Sequence, residues 1–204
     1  GLRLQGDIGN HALSFRGLLT DADVDFDSGL PFPGSEPATT AALNRELGLV
    51  LAGPLGTRWS HSLTLGRNTE VLDTPLYLSH FGSDRTSLDW VNTVALNPAN
   101  TLNIGLNWSE ESGYSYADPA FPDFDQDRRN RALFASWRGK FATHTLELSA
   151  RRDDNSQFDG ATTGNAAWGW QASEAFRVRA SWGQGFRAPN FNELYYPGFF
   201  GFYA

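Results

Sequence analysis

The sequence contains no cysteine, which excludes disulfides, thiolate metal sites and thiol nucleophiles together. It has no methionine, and Lys140 is its single lysine, so arginine carries nearly all of the positive charge. No run of about 18 apolar residues occurs, which excludes a membrane-spanning helix but leaves a spanning barrel open. Basic residues are in deficit, 16 against 23 acidic ones for a net charge of −7. An acidic total without a Lys/Arg run disfavours a nucleic-acid binder, whose affinity comes largely from neutralising phosphates. The opening Gly1-Leu2-Arg3 has neither an initiator methionine nor a charged, then apolar, then small-residue signal pattern. The expectation is a processed or truncated piece of a longer protein.

What is abundant points to strands. The chain has 21 Gly and 10 Pro, and 14% of it is aromatic, a composition of turns and aromatic surfaces rather than of a helical bundle. The dominant hydrophobic period is two. Leu102, Ile104, Leu106 and Trp108 alternate with Thr101, Asn103, Gly105 and Asn107. Leu146, Leu148 and Ala150 oppose Thr145, Glu147, Ser149 and Arg151, and Phe176, Val178, Ala180 and Trp182 oppose Arg177, Arg179, Ser181 and Gly183. Weaker versions elsewhere bring the expected number to about ten strands.

Tight connections are expected at Gly9-Asn10, Pro54-Leu55-Gly56, Asn97 to Asn100, Gly139 to Thr143 and Ser173-Glu174-Ala175. Between them lie polar stretches read as long connections: Asp21 to Ala41, Asn68 to Asp84, Glu110 to Arg128, Asp153 to Gly164, and Arg187 onward. A sheet with one solvated face alternates in the same way. Short and long connections in turn, however, are the mark of an outer-membrane barrel, with short turns at one end and long external loops at the other. The fold class expected is therefore all-β, an antiparallel transmembrane β-barrel, partial, with about ten strands of a larger barrel and one barrel domain over 1–204. Arg45 is expected beside a long loop, above the hydrocarbon belt. His61 and Asn92 fall on the lipid face and count against the assignment.

The segment Arg151-Arg152-Asp153-Asp154-Asn155-Ser156-Gln157-Phe158 leads through Trp168-Gly169-Trp170 to Gly183-Gln184-Gly185-Phe186-Arg187-Ala188-Pro189, and on to Glu193-Leu194-Tyr195. This resembles TonB-dependent outer-membrane transporters, in which a "GxGFRAPxxxELY" stretch ends a barrel strand. The upstream "RxDDNSQF" run makes it most similar to the cobalamin (vitamin B12) transporters. The resemblance implies energy-coupled uptake of a large, scarce ligand in the outer membrane of a Gram-negative bacterium. It also implies partnership with outer-membrane lipid and with the TonB energy-transducing protein, the latter through a plug domain that is absent from this sequence. Physically, Gly183 and Gly185 remove side chains where the strand leaves the membrane, and Pro189 has no N–H to continue a ladder. That motif is read here as a strand end rather than as a ligand contact.

Asp21, Asp23, Asp25 and Asp27 place four carboxylates on one side of an extended segment. Oxygen ligands so spaced suit calcium, although the EF-hand positions are wrong: its required Gly is Phe26 and its twelfth-position Glu is Phe32. The bland alternative is a solvated acidic loop. By resemblance, Phe26-Asp27-Ser28 matches an aromatic-Asp-small triplet, which makes Asp27 and Glu36 candidate calcium ligands and Ser28 and Ser79 candidate cobalamin contacts. The acidic stretch Asp118, Asp123, Asp125 and Asp127 is expected to pair with Arg128 and Arg129, which follow it.

No catalytic constellation is visible, and no enzyme is expected. The histidines at 11, 61, 80 and 144 never adopt HExxH spacing, and no GxSxG elbow exists. Gly183 to Ala188 matches a dinucleotide fingerprint on paper, but Pro189 and the missing helix defeat it. The alternatives left open are a siderophore receptor of the same family, a passive porin or small structural barrel, and a soluble β-sandwich binding module.

Overall fold

The computed structural model describes residues 1–27 and 37–195. Ten strands follow one another: β1 (Leu2–Ile8), β2 (His11–Phe26), β3 (Ala38–Pro54), β4 (Trp59–Thr74), β5 (Ser79–Asn97), β6 (Asn100–Asp118), β7 (Phe121–Phe141), β8 (His144–Asn155), β9 (Ala161–Gln171) and β10 (Arg177–Gln184). Among the described residues one helix, α1 (Phe191–Tyr195), comes after β10, and one 3-10 turn, Pro75–Tyr77, separates β4 from β5. Each strand pairs with the next in an unbroken order from β1 to β10, and the pairing is antiparallel throughout.

The five tight connections are where turn chemistry puts them. Gly9 adopts φ 61 in the first, a left-handed conformation that costs glycine nothing and suits a two-residue hairpin. The connections at the other end differ from expectation. Most of Asn68 to Asp84 and of Glu110 to Arg128 is strand, joined by Pro75–Tyr77 in one hairpin and by a turn at Pro119 and Ala120 in the other. Their polar composition belongs to hairpins standing clear of the membrane, with the outer face in water and the inner face packed around Phe124, and not to the loss of the ladder. β6 has 19 residues, about 60 Å at ~3.3 Å per residue. Even tilted by ~40°, such a strand rises well beyond the ~25 Å apolar band of a spanning barrel.

The register aligns residues of one kind across the sheet. Trp59, Val94, Leu102, Trp137, Leu148, Ala166 and Trp182 are successive partners from β4 to β10. The adjacent row on the opposite face reads Ser60, Thr93, Asn103, Ser136, Ser149, Asn165 and Gly183. In that polar row Thr93 donates to Asn103 Oδ1 at 2.8 Å, and Asn103 Nδ2 donates to Ser136 Oγ at 3.1 Å. A one-residue slip would exchange the two faces at once, so the pattern fixes the register.

The oily face carries no second protein layer among the described residues. Ile104 is 44% and Leu133 63% exposed, and the extensive strand-to-strand contacts run between sequence neighbours. The buried positions Ser109, Ser115, Phe124 and Ala132 instead lie on the polar, concave side, where α1 also packs. This is a sandwich core turned inside out, and lipid is the medium that gives such a face its ~25 cal/mol per Å².

His61 and Asn92, which stood against a lipid-facing assignment, are met by indoles on that face. Trp59 Nε1 donates to Asn92 Oδ1 at 3.0 Å, and Trp90 Nε1 donates to His61 Nδ1 at 3.4 Å. His144 lies likewise beside both Trp168 and Trp170, with Trp168 Nε1 donating to its Nδ1 at 3.2 Å. These clusters border the short turns, where amphipathic rings form an interfacial girdle. Arg45 lies past the opposite border, between Leu19 and Thr69 in register.

Candidate ligand-facing site

β10 ends at Gln184, and the chain after Gly185 turns onto the concave wall. Three residues lock that hook. Asn190 Oδ1 accepts the Glu193 N–H at 2.7 Å while Glu193 Oε2 accepts the Asn190 N–H at 2.8 Å, a reciprocal cap that satisfies two backbone donors at the start of α1. Arg187 donates to Glu193 Oε1. The Arg187 guanidinium, followed by the Asn190 N–H, holds the Glu193 carboxyl below its ordinary range, and Glu193 raises Arg187 in return.

The hook is seated by Phe191, which is only 3% exposed. Its ring occupies the space above Gly113, where a Cβ would come within 2.5 Å of it. It stacks on Phe124 at 6.2 Å, and Arg128 lies over its other side at 4.5 Å from the centroid. Arg128 also donates to the Pro189 carbonyl at 2.7 Å and grips Glu111 Oε2 through Nε at 3.0 Å and Nη2 at 2.8 Å. One arginine thus ties β6, β7 and the hook together. The acidic stretch beside it plays a different part from the one expected. Arg129 pairs with Glu110 at 3.3 Å, while Asp118 accepts the Ala120 N–H in the turn and Asp123 accepts from Ser115.

Above the hook opens a cavity of about 520 Å³, lined by Thr40, Glu70, Leu72, Thr74, Ser79, Phe81, Ser83, Glu111, Ser115, Asn190, Phe191 and Asn192. Hydroxyls, amides and two carboxylates line it beside the apolar Leu72, Phe81 and Phe191, and no cation lines it among the described residues. Thr40 and Thr74 share a hydrogen bond of 2.8 Å across β3 and β4. A neighbouring cavity of about 370 Å³ on the same wall is charged and internally paired. There Arg151 Nε donates to Asp153 at 2.7 Å, and Asn130 donates to Asp153 at 2.9 Å.

Ser79, at the start of β5, lines the larger cavity. Ser28 and Glu36 lie outside the described residues. Asp27 follows β2, and Asp21, Asp23 and Asp25 share one face of that strand, opposite Leu43, Ala41 and Thr39. By register that face continues the oily one and points away from the cavity; Thr39 Oγ1 donates to Asp25 there at 2.6 Å. Among the described residues no three His, Asp or Glu side chains converge to hold a metal. Asp27 therefore forms no calcium site with them alone, and no step below is routed through calcium. Sequence reasoning missed Glu111, Gly113 and Phe191, and expected Arg128 to pair with the Asp118 to Asp127 stretch rather than with Glu111. The available signal was Phe191 within the motif, treated as a strand end because its partner strands are remote in sequence.

A sheet that is oily outside and polar inside, with short turns at one end and tall hairpins at the other, is the wall of an outer-membrane β-barrel. The family model for the TonB dependent receptor-like β-barrel matches residues 3–204, and the chain belongs to that family, whose place is the Gram-negative outer membrane. It is 31% identical over 141 residues to the vitamin B12 transporter BtuB of Vibrio cholerae serotype O1, an alignment covering 69% of this chain and 21% of that protein. The chain therefore spans about a fifth of the length of the curated relatives it matches. Among solved structures it is similar to the siderophore receptor PiuA from Acinetobacter baumannii, with TM-score 0.59 and 13% identity over 80% of this chain and 38% of that one. The FrpB iron transporter from Neisseria meningitidis gives TM-score 0.59 and 12% identity over 84% of this chain and 32% of that one. Both share the fold.

Proposed function

We propose that this chain forms part of the wall and the external ligand-facing surface of a TonB-dependent active transporter, and that the ligand is cobalamin. The observation that carries this reading is the cavity above the hook. Its hydroxyls and amides, from Thr40, Thr74, Ser79, Ser83, Asn190 and Asn192, suit a large uncharged ligand edged with amides. Glu70 in the same lining opposes an anionic iron chelate, which a siderophore receptor must accept, while Glu111 there is neutralised by Arg128. The 31% identity to a vitamin B12 transporter points the same way, whereas the siderophore receptor and iron transporter above share only a fold. Transport in the whole protein would proceed when the TonB protein, acting through the plug domain, opens a path along the polar wall.

A binding isotherm for cobalamin on the full-length protein in detergent, with and without calcium, tests this reading. Saturable binding is expected, weakened about tenfold by Ser79→Trp, which fills the cavity. Calcium dependence that Asp27→Asn abolishes is the result expected if Asp27 and Glu36 hold the ion. Saturable binding of a ferric siderophore with none of cobalamin would overturn the ligand assignment.

A further inference from the structure

On the lipid-facing side of β7 to β10 the oily surface is interrupted by a groove of about 440 Å³. Its floor is a patch of very small side chains: Ala135 on β7, Ala150 on β8, and Gly164 and Ala166 on β9, with Ala135, Ala150 and Gly164 successive partners in register. Ser149 and Asn165 project to the other face yet also line the groove, so the backbone itself forms part of the floor. A Cβ at Gly164 would come within 3.0 Å of the Ser149 carbonyl oxygen. The bulkier row of Trp137, Leu148 and Trp182 bounds the groove on the side of the short turns.

Ala150 lies six residues along β8 from His144, about 20 Å at ~3.3 Å per residue and ~15 Å in height at a tilt of ~40°. It is therefore just past the middle of a ~25 Å apolar band, in the half toward the tall hairpins. The next outward-facing row up the strands is Leu133, Arg152 and Thr162, followed by Arg131 beside Asp154. An arginine on a lipid face is costly unless water or an anion meets it. Arg152 uses only Nη1, donating to the Gly160 carbonyl at 3.1 Å and to Thr162 Oγ1 at 3.0 Å. Among the described residues its Nε and Nη2 have no acceptor, and the Arg131 side chain has no partner. Asp154 faces the same side without forming an ion pair to either arginine, so the head of the groove keeps one net positive charge.

We infer that this groove seats an acyl chain of the phosphorylated glycolipid that forms the outer leaflet of the Gram-negative outer membrane, with Arg152 and Arg131 holding its phosphate. The groove is continuous with the face that already meets hydrocarbon. It opens toward the hairpins, and the free donors stand at that opening, where charge-assisted bonds to a phosphate are strong. A phospholipid of the opposite leaflet would carry its phosphate to the other border, beyond the tryptophans. The inference needs only the outer-membrane barrel and is independent of the transported ligand.

The test takes the full-length protein, stripped of lipid in mild detergent, and titrates it with diphosphoryl lipid A, read by native mass spectrometry. One molecule should bind saturably, and monophosphoryl lipid A and phosphatidylglycerol should each bind about tenfold more weakly. Ala150→Phe, which fills the groove, should weaken diphosphoryl lipid A about tenfold, and so should Arg152→Gln combined with Arg131→Gln. Arg152→Lys, which keeps a charge for the phosphate, should stay within about twofold of wild type. Leu65→Phe adds a ring to the same oily face on β4 and should leave binding unchanged. Heat-modified gel migration reports the barrel and should be unaltered throughout; if Ala150→Phe fails there, the arginine variants and the three lipids on wild type decide. Equal affinity for the three lipids overturns the inference, as does saturable binding that neither the Ala150 nor the arginine variants weaken. Tighter binding of phosphatidylglycerol would assign the groove to an ordinary phospholipid and remove the glycolipid as its occupant.

Discussion

Arg128 does more at the level of single residues than any other side chain on the concave wall. Its side chain is 15% exposed and its partner Glu111 21%, so removing it strands a mostly desolvated carboxylate and frees the Pro189 carbonyl together. A hydrogen bond to a charged group is worth about 1.5–3 kcal/mol. Arg128→Ala should therefore reduce amide exchange protection over 186–195 by about ten- to hundredfold, as read by hydrogen–deuterium exchange on the full-length protein, while β7 remains protected. Glu193 gives a pH signature for the same hook. Its carboxyl is held below the ordinary 4.5, so its contribution is fully present above that value and is lost as pH falls through the lowered one. Protection of α1, corrected for intrinsic exchange, should stay level from neutral pH down to about 4.5 and fall below it. Glu193→Gln should show weak protection with no such fall, and an identical profile in that variant would exclude Glu193 as the titrating group.

Within each strand, the two faces answer to different solvents. Ile104 lies near the centre of the oily band, between Leu102 and Leu106, while Asn103 looks inward. Ile104→Arg should cost about 2–4 kcal/mol at mid-bilayer depth, measured by denaturant unfolding in lipid, whereas Asn103→Ala should cost only about 1–2 kcal/mol for its two bonds to Thr93 and Ser136. Equal costs would mean that the oily face does not meet hydrocarbon. This two-solvent pattern is why the membrane portion could be read from sequence, since Leu102/Ile104/Leu106 against Asn103/Gly105/Asn107 has only one way to lie. The upper hairpins lack that contrast. Between Glu110 and Arg128 the outer face is wet and the inner face mixes the buried Ser115 and Phe124 with Glu111 and Arg128, so period two fades while the ladder continues. The cavity was hidden for another reason: Glu70, Ser83 and Asn192 meet only after β4, β5 and the hook are brought together, and no local spacing encodes that meeting.

For the whole wall, charge is graded along the barrel axis. Asp21, Asp23, Asp25, Asp73, Asp118, Asp123, Asp125 and Asp127 lie in the strands above the oily band. Several cations at that level are already tied, Arg67 to Asp84, Arg128 to Glu111 and Arg129 to Glu110. At the other end Arg138, Lys140, Arg177 and Arg179 make the wall positive. Under the transporter reading proposed above, an entering ligand would meet the negative end first, and a field of that sign accelerates cations, slows anions and leaves neutral molecules to diffusion. Salt separates these cases, because the Debye length shrinks from ~30 Å at 0.01 M to ~3 Å at 1 M. Stopped-flow association of the uncharged cyano form of cobalamin with the full-length protein should vary less than about twofold over that range. The aqua form, which carries a positive charge, should associate about tenfold faster at the low-salt end. An anionic ferric chelate should show the opposite slope. If the two cobalamin forms respond to salt alike, the graded charge does not reach the entering ligand, and the acidic hairpins serve only to keep the barrel's outer surface hydrated.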